Sequence, residues 1–242
     1  MDKVVIITGA ARGIGLATAK IFLQQNYKVV IVDRDKNEVN KLKLKNDKLL
    51  KYICDISDPK KNKSMIEDIY KWGKRIDILV NNAGVADFGK IETVKFKNWR
   101  KIMDTNLDGT FLTTQNVIKY LKKTKGNIIN IASISGLRAS TLRIAYGTSK
   151  AAIIQLTQQQ AIELGEFGIR VNCVSPGPVK TKLAQAVHTP DIVKAYHDTI
   201  PLNRYGMENE IAEAIFFLSS EKASYITAVS YTHLRAHETV KN

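Results

Sequence analysis

Short apolar runs alternate with longer amphipathic stretches along most of this 242-residue chain. Short runs rich in Val and Ile are typical of strands buried on both faces, and the stretches between them have the length and pattern of helices. This alternation predicts a parallel sheet covered by helices on both faces, a doubly wound Rossmann fold with right-handed crossovers. The predicted strands are Val4–Ile7, Lys28–Val32, Leu49–Ile53, Asp77–Val80, Asn127–Ile131 and Arg170–Val174, and the predicted helices cover about 13–25, 36–45, 59–73, 98–123 and 145–166.

A single α/β domain is predicted over residues 1–227, because the chain has neither an internal repeat nor a low-complexity linker. The stretch of about 176–204 contains several prolines and is long for a connection, which is typical of functional loops. We expect it to cover the substrate, with a short helical piece near 191–198. A last helix is predicted at about 208–219.

The formal net charge of +14 raises the possibility of a nucleic-acid or acidic partner. Many of the lysines are scattered, and the two local runs of lysines have no interleaved aromatic residues of the kind that stack on bases. We therefore expect a basic surface without a nucleic-acid partner. Cys54 and Cys173 lie in apolar contexts, and no apolar run is long enough for a signal peptide core or a membrane span. The expected location is the cytoplasm, without a membrane partner.

A phenol and an ammonium group, Tyr146 and Lys150, lie one helical turn apart in the helix predicted over 145–166. Ser133 lies upstream, just after the apolar run 127–131. A strand-end hydroxyl followed by a helix that presents Tyr and Lys can form a proton-transfer site. The Tyr–Lys spacing also arises by chance in many helices, so it indicates catalysis only beside a redox cofactor.

A glycine-rich turn between the first strand and the first helix predicts such a cofactor. It reads Thr8-Gly-Ala-Ala-Arg-Gly-Ile-Gly15. Gly9, Gly13 and Gly15 allow a tight turn and close approach to a pyrophosphate, which the helix N-terminus attracts. Thr8, Arg12 and Ile14 belong to the same turn and are predicted contacts. The alternative is a glycine-rich turn with no ligand.

Polar residues at the ends of the next three strands extend this predicted site. Asp33 can accept hydrogen bonds from ribose hydroxyls and would repel a 2′-phosphate, which favours NAD over NADP, although Arg12 and Arg34 lie nearby. Asp55, followed by Ile56, can contact the adenine amino group; its alternative role is an Asx turn or a helix cap. The segment Asn81-Asn-Ala-Gly84 ends the fourth strand, where ligands bind in open α/β sheets.

Together these motifs resemble the classical short-chain dehydrogenase/reductase family. The resemblance runs from Thr8 to about Thr227 and depends on an ordered set of motifs. They are Thr8-Gly-x3-Gly-x-Gly15, Asp55, Asn81-Asn-Ala-Gly84, Asn106, Ser133, Tyr146-x3-Lys150, Asn172 and Pro176-Gly177.

The resemblance implies a catalytic tetrad. Tyr146 would exchange a proton with the substrate oxygen, and Ser133 would hold and polarise that oxygen. Lys150 would bind the nicotinamide ribose and favour the phenolate form of Tyr146, and Asn106 would hold a water in a proton relay. Further cofactor contacts would come from Asn82, Ala83 and Gly84 and, at the nicotinamide end, from Pro176, Gly177, Val179 and Thr181.

The substrate is less well determined by the sequence. Predicted contacts besides Ser133 and Tyr146 are Leu137, Arg143 and Leu183; Arg138 and Arg143 could meet an anion or be solvated loop residues. We expect an NAD-linked dehydrogenase of a secondary alcohol, sugar or hydroxyacyl compound. The alternatives are a 3-oxoacyl-[acyl-carrier-protein] reductase and, in another class, a non-catalytic dinucleotide sensor. Against the reductase, Phe167 replaces a basic residue that such reductases often carry, although nearby lysines could still receive an acidic carrier.

The end of the chain departs from the family pattern. After Thr227 the glycines and the final edge strand of the family are missing from the sequence, and residues 228–242 are interpreted as possible foreign sequence. No metal site is expected, because His233 and His237 lack a third ligand. The family resemblance implies a homodimer through the helices near 98–123 and 145–166, and leaves a tetramer open.

Overall fold

Seven parallel strands form one sheet in the computed structural model, which describes residues 2–182, 194 and 200–232. The strands are β1 (Val4–Thr8), β2 (Lys28–Asp33), β3 (Leu49–Ile53), β4 (Ile78–Asn81), β5 (Asn127–Ile131), β6 (Arg170–Ser175) and β7 (Ser230–Thr232). Their order in the sheet is β3-β2-β1-β4-β5-β6-β7, and every neighbouring pair is parallel. The predicted doubly wound α/β fold is confirmed.

Helices connect the strands. Most predicted helices begin and end close to the predicted positions, but the one predicted over 36–45 ends at Lys41, and the short helix Ile134–Leu137 was not predicted. The helices have the following bounds. They are α1 (Gly13–Gln24), α2 (Lys36–Lys41), α3 (Pro59–Gly73), α4 (Phe96–Met103), α5 (Gly109–Thr124), α6 (Ile134–Leu137), α7 (Ile144–Gly165) and α8 (Glu208–Ser219). The single helix predicted over 98–123 is interrupted, because a π-helical turn at Asp104–Asp108 joins α4 to α5. The short helix predicted near 191–198 lies, apart from Lys194, outside the described residues.

The two faces of the sheet carry separate hydrophobic cores, because successive side chains of a strand point to opposite faces. Val4 and Ile6 of β1 belong to the core formed with α3, α5 and α7. Val5 and Ile7 belong to the core formed with α1 and α8. All four side chains are fully buried, and burial of such a side chain stabilises the fold by about 1.5–3 kcal/mol. Both faces of the sheet are therefore covered by helices, as predicted.

The strand order also predicts where a ligand binds. The chain proceeds from β1 outward to β3, then returns to β4 beside β1 and proceeds in the other direction to β7. The connections after β1 and β4 therefore diverge and open a crevice at the carboxyl ends of these strands. The glycine-rich turn follows β1, and the segment Asn82–Gly84 follows β4, so both lie at this crevice.

The expectation that the last edge strand is missing is wrong. Strand β7 pairs with β6 in the register Cys173↔Ser230, Val174↔Tyr231 and Ser175↔Thr232. The chain enters it through a hydrogen bond from the Cys173 N–H to the Val229 carbonyl, 2.8 Å long. The physical reason is that strand pairing uses backbone groups, which any non-proline sequence supplies.

Within the described residues, no helix is both long and apolar enough to span a membrane.

Candidate active site

A cleft of about 1210 Å³ lies at the carboxyl ends of the strands. It contains residues from the turns after β1 through β6 together with the start of α7, so the sheet brings together segments that are far apart in sequence. Predicted residues that line it are Gly9, Arg12, Gly13, Ile14, Asp33, Arg34, Asp55, Ile56, Asn82, Ala83, Gly84, Ser133, Arg143, Tyr146, Lys150, Pro176, Gly177, Val179 and Thr181.

The glycine-rich turn has a backbone that only glycine adopts without strain. Gly9 and Gly13 both have φ +63°. A Cβ atom on Gly9 would lie 2.6 Å from the Ala83 Cα atom, so this turn packs directly on the segment after β4. Helix α1 begins at Gly13, and no side-chain cap is made by Arg12, its N-cap residue. The first N–H groups of α1 are therefore suited to an anionic ligand.

Thr8 and Gly15, both predicted cofactor contacts, do not line the cleft. The Thr8 hydroxyl oxygen accepts the N–H groups of Asn82 and Ala83, each at 3.0 Å. The Asn82 side-chain amide in turn donates to the carbonyls of Thr8 and Gly9, each at 2.9 Å. A Cβ on Gly15 would lie 2.5 Å from the Asn82 Nδ2 atom. The structure thus places both residues behind the cleft wall, where they hold the segments after β1 and β4 together.

Carboxylates and cations are paired at the end of the cleft formed by β2 and β3. Asp33 accepts the Ala11 N–H at 3.2 Å and the Asp35 N–H at 3.0 Å. The Arg12 guanidinium lies 3.5 Å from the Asp35 carboxylate, and the Arg34 guanidinium lies 3.6 Å from that of Asp55. Both cations that weaken the predicted preference for NAD therefore have carboxylate partners.

Asp55 lies at the cleft and also makes the hydrogen bonds of an Asx turn. Its carboxylate lines the cleft, and it also accepts the Ser57 hydroxyl at 2.7 Å and the Ser57 N–H at 3.1 Å, as in an Asx turn. Burial raises the pKa of this carboxyl, but the hydrogen bonds from Ser57 and the nearby Arg34 outweigh burial and leave the pKa below its usual value. The cap of α3 is Asp58, not Asp55.

Lys150 is a buried cation at the centre of the site. Its side chain projects from α7, and its ammonium donates a 2.7 Å hydrogen bond to the Ile131 carbonyl at the end of β5. It lies 5.8 Å from the centroid of the Tyr146 ring. The residue is 4% exposed, and burial lowers the pKa of the ammonium to about 8. The structure therefore brings the predicted Tyr–Lys pair together on one side of the cleft.

Ser133 follows β5 and forms the N-cap of the short helix α6. Its hydroxyl oxygen accepts the Ser135 N–H at 3.2 Å. The backbone on either side of Ser133 is held by β6 and the residue after it, through hydrogen bonds from Ala132 to Val174 and from Ile134 to Pro176. A serine hydroxyl that accepts one hydrogen bond can still donate its own hydrogen, so Ser133 is suited to polarise an oxygen in the cleft.

Asn106, the fourth predicted catalytic residue, is buried and does not line the cleft. Its side-chain oxygen accepts the Val85 N–H at 2.8 Å, and its Nδ2 atom donates to the Val85 carbonyl and the Ser149 hydroxyl, both at 3.0 Å. The Ser149 hydroxyl donates to the Tyr146 carbonyl at 2.8 Å. The Asn106 side chain therefore links the segment after β4 to α7.

The predicted substrate contacts are only partly brought together. Arg143 lines the cleft, with its guanidinium carbon 4.6 Å from the Phe88 ring centroid and 5.8 Å from the Tyr146 ring centroid. Leu137 is outside the lining and 43% exposed. Leu183 lies outside the described residues.

Sequence reasoning missed several lining residues. Most lie next to predicted ones, so the position of each strand end could have indicated them, whereas Phe88 and Lys101 carry no local signal. The missed residues are Val32, Asp35, Ile53, Cys54, Lys61, Val85, Ala86, Phe88, Lys101, Thr105, Ile131, Ala132, Ile134, Ser135, Pro178 and Lys182.

Cys54 is the one cysteine among these lining residues. Burial raises the pKa of its thiol to about 11, so the thiol remains neutral near pH 7.

Comparisons with known proteins match almost the whole chain. A family model described as Enoyl-(Acyl carrier protein) reductase matches residues 9–233. A 3-oxoacyl-[acyl-carrier-protein] reductase of Thermotoga maritima is 35% identical and covers 93% of each chain. A meso-2,3-butanediol dehydrogenase of Serratia marcescens is 33% identical and covers 95% of this chain and 92% of its own.

Solved structures also match over nearly the whole chain. The 3-ketoacyl-(acyl-carrier-protein) reductase from Brucella melitensis complexed with NADH has a TM-score of 0.89 and 32% identity, over 95% of this chain and 96% of its own. ElxO with NADP bound has a TM-score of 0.90 and 30% identity, over 96% of this chain and 97% of its own. Nicotinamide dinucleotides of both kinds therefore occur among the structural neighbours.

Proposed function

The chain belongs to the short-chain dehydrogenase/reductase family of NAD(P)-linked oxidoreductases, and we propose that Tyr146 is its general acid/base. The reaction is hydride transfer between a nicotinamide and the carbinol carbon of a secondary alcohol or ketone. One observation carries the proposal: Ser133, Tyr146 and Lys150 converge on the same cleft as the glycine-rich turn.

The residues of the cleft fit a dinucleotide. The backbone of Gly9 and Gly13 and the N-terminus of α1 would hold the pyrophosphate, because close approach needs glycine and the helix end attracts anions. Asp33 and Asp55 would hold the adenosine half, and Pro176, Gly177, Val179 and Thr181 the nicotinamide half. The bound dinucleotide supplies the hydride acceptor or donor.

The chain's own groups move the proton. During alcohol oxidation the carbinol carbon loses a hydride, and the alcohol oxygen loses its proton to the Tyr146 phenolate. Ser133 donates a hydrogen bond to the same oxygen and orients it. The Lys150 ammonium beside the Tyr146 ring favours the phenolate by charge attraction, and this attraction is strong because Lys150 is buried. In ketone reduction the same proton returns from the phenol.

Paired charges near Asp33 support a preference for NAD. A 2′-phosphate would meet the Asp33 carboxylate, while the nearby Arg12 and Arg34 lie within 3.6 Å of carboxylates that already attract them. We expect a higher kcat/KM with NAD⁺ than with NADP⁺. The Asp33→Ser variant should lower the ratio of kcat/KM with NAD⁺ to kcat/KM with NADP⁺. A preference for NADP⁺ in the unaltered protein would contradict the proposed preference for NAD.

Activity toward a panel of alcohols tests the proposal. Secondary alcohols, diols, sugars and hydroxyacyl thioesters are assayed with NAD⁺ and NADP⁺ by the absorbance of the reduced nicotinamide. Tyr146→Phe should lose turnover by about 10²–10⁴-fold, as expected for loss of a general acid/base, while melting temperature and cofactor binding stay unchanged. Retained turnover would overturn the role of Tyr146.

A 3-oxoacyl-[acyl-carrier-protein] reductase is the second candidate. The observation that favours it is the Lys122 ammonium, 3.3 Å from the centroid of the Phe167 ring. This contact places a cation where the sequence lacks the basic residue typical of such reductases. Preference for a carrier-bound 3-oxoacyl group over small ketones in the same panel would select this function. A non-catalytic sensor is disfavoured, because Tyr146 and Lys150 both reach the cleft.

A homodimer through α5 and α7 is proposed for the assembled enzyme. Phe111 on α5 and Ile162 on α7 support it, because both are large apolar side chains that are 47% and 75% exposed in the single chain. Light scattering should give the mass of a dimer, and Ile162→Lys should shift the mass toward a monomer. A monomeric unaltered protein would contradict the proposal.

Cytoplasmic location is also proposed. Both described cysteines, Cys54 and Cys173, are buried free thiols, which supports a reducing compartment. Fractionation of cells that express the chain would test this location.

A further inference from the structure

Arg143 occupies a defined place beside the proposed proton donor. It is the residue before α7, one turn ahead of Tyr146, and it lines the cleft. Its guanidinium carbon lies 4.6 Å from the Phe88 ring centroid and 5.8 Å from the Tyr146 ring centroid. Arg143 is half-buried. This setting differs from that of a fully solvated loop arginine, because a guanidinium over an aromatic ring gains a cation–π attraction that restricts its movement.

The backbone at Arg143 is held by a contact with the segment after β4. The Gly89 N–H donates to the Leu142 carbonyl at 3.0 Å, and Gly89 and Arg143 form a parallel β-bridge. Leu142 has φ +62°, a conformation that a leucine rarely adopts. Such a conformation persists only where surrounding contacts determine it. The fold therefore positions Arg143 and Phe88 together at the cleft.

Positive charge dominates the lining around Tyr146. Of the described lining residues in segments 85–88, 132–135 and 143–150, the charged ones, Arg143 and Lys150, are both cations. Lys150 is buried and donates to the Ile131 carbonyl. The segment 85–88 also contains a carboxylate, Asp87, which does not line the cleft. Asp87 accepts hydrogen bonds from the Asn98 amide at 2.6 Å and from the Phe88 N–H at 2.9 Å.

We propose that Arg143 selects substrates that carry a carboxylate near the reacting carbon, which makes hydroxy acids and the corresponding oxo acids the substrate class. This inference rests on the proposed function. A guanidinium binds a carboxylate through two parallel hydrogen bonds, and a partly desolvated cation gains more from such a partner than a solvated one. Because the Phe88 ring orients the guanidinium, little side-chain freedom is lost on binding.

Matched substrates and variants test this selection. The substrates are 2-, 3- and 4-hydroxy carboxylates, their uncharged amides and a neutral diol. The variants are Arg143→Gln, Arg143→Lys and the control Arg138→Gln, which alters another arginine of the same loop that is not in the described lining. The unaltered protein should prefer one acid to its amide. Arg143→Gln should lower the ratio of kcat/KM for that acid to kcat/KM for its amide by about 30-fold or more.

Arg143→Lys should give an intermediate loss, because it keeps the charge and loses the paired hydrogen bonds. Arg138→Gln should leave the acid-to-amide ratio unchanged. If Arg143→Gln lowers kcat/KM equally for the acid and the amide, or shifts the pH profile of both in the same way, Arg143 acts through Tyr146. Either result would overturn carboxylate selection.

The outcome also separates this inference from the proposed function. Turnover of the diol and amides with no preference for any acid would leave the oxidoreductase proposal intact and overturn carboxylate selection. Absence of turnover with acids, amides and diol alike, in a folded protein, would overturn both.

Discussion

Lys150, which we propose favours the Tyr146 phenolate, lowers the stability of the fold through its burial. Burial lowers the pKa of its ammonium to about 8, whereas an unfolded lysine titrates near ~10.4. Between these values the unfolded chain binds more protons than the folded one, so the free energy of unfolding rises with pH across this window. Below about pH 8 the buried ammonium is charged, and its full desolvation cost is present.

We therefore expect Lys150→Met to lose activity and gain stability at pH 7. Removing a desolvation cost of ~3 kcal/mol and a hydrogen bond of ~1 kcal/mol predicts a net gain of roughly 2 kcal/mol in the free energy of unfolding. The gain should shrink as pH rises from about 8 to ~10.4. Urea unfolding of the cofactor-free protein at several pH values measures it, with Lys20→Met on the exposed face of α1 as control. If the free energies of unfolding of Lys150→Met and the unaltered protein differ by the same amount at every pH, the desolvation of the Lys150 ammonium is not the cause.

Ser149 links the Asn106 amide to the backbone of Tyr146, a contact that the sequence does not reveal. Its buried hydroxyl accepts the Asn106 amide and donates to the Tyr146 carbonyl. Ser149→Ala leaves the Asn106 amide without this partner, which costs about 1–3 kcal/mol. We expect kcat to fall by about tenfold with little change in KM, because the backbone of the Tyr146 turn loses a support.

Ser149→Cys should recover part of the lost kcat if the hydrogen bonds position Tyr146. Thr148→Ala, at an exposed neighbouring position of α7, should change neither kcat nor KM. A loss of stability in Ser149→Ala with unchanged kcat would limit Ser149 to a purely structural role.

At the scale of elements, the apolar runs predict six strands to within about one residue, because burial of a whole strand requires a continuous apolar segment. The π-helical turn at Asp104–Asp108 escapes such reasoning. A π-helical turn contains one extra residue, and this changes the spacing of apolar residues along a helix too little to be recognised in the sequence. The insertion becomes visible only where Asn106 contacts Val85 and Ser149.

The glycine-rich turn gives a prediction about an element. Gly9→Ala adds a Cβ atom 2.6 Å from the Ala83 Cα atom at a residue with φ +63°. We expect a loss of at least ~2 kcal/mol of stability and weaker dinucleotide binding, because the segments after β1 and β4 must separate.

Gly165→Ala is the matched control. It lies at the end of α7 with no atom within 4 Å of an added Cβ, so stability should rise by up to ~1 kcal/mol. Thermal unfolding and fluorescence titration with NADH measure both variants. Equal stability for the two alanine variants would show that the turn tolerates a side chain.

Strand β7 completes the seven-stranded sheet beside β6. The segment leading into it is tied to β6, since the Ala228 N–H donates to the Val171 carbonyl and the Asn172 side chain donates to the Ile226 carbonyl. We propose that residues 228–242 are foreign to the domain, which sequencing of the source DNA across codon 228 would test. The backbone of 230–232 nevertheless serves as an edge strand.

Truncation after Thr227 should therefore destabilise the protein. It removes β7 and exposes the edge of β6, which carries the buried Cys173 and Val174. We expect a lower melting temperature and concentration-dependent self-association through the unpaired strand, measured by calorimetry and light scattering. Tyr225→Ala, at a fully exposed position just before this region, should change neither. An unaltered melting temperature after truncation would show that β7 contributes little.

The amino-acid pattern alone predicted six of the seven strands, the doubly wound topology, the glycine-rich turn and the set of Ser133, Tyr146 and Lys150. Each of these depends on a local signal: an apolar run, a residue without a Cβ atom or a spacing of one helical turn. Four features become visible only in the folded chain. Thr8 lies behind the cleft wall, Asn106 faces Ser149, the Arg143 guanidinium lies over the Phe88 ring, and β7 pairs with β6. These are contacts between distant segments, and packing and backbone pairing determine them rather than the residues adjacent in sequence.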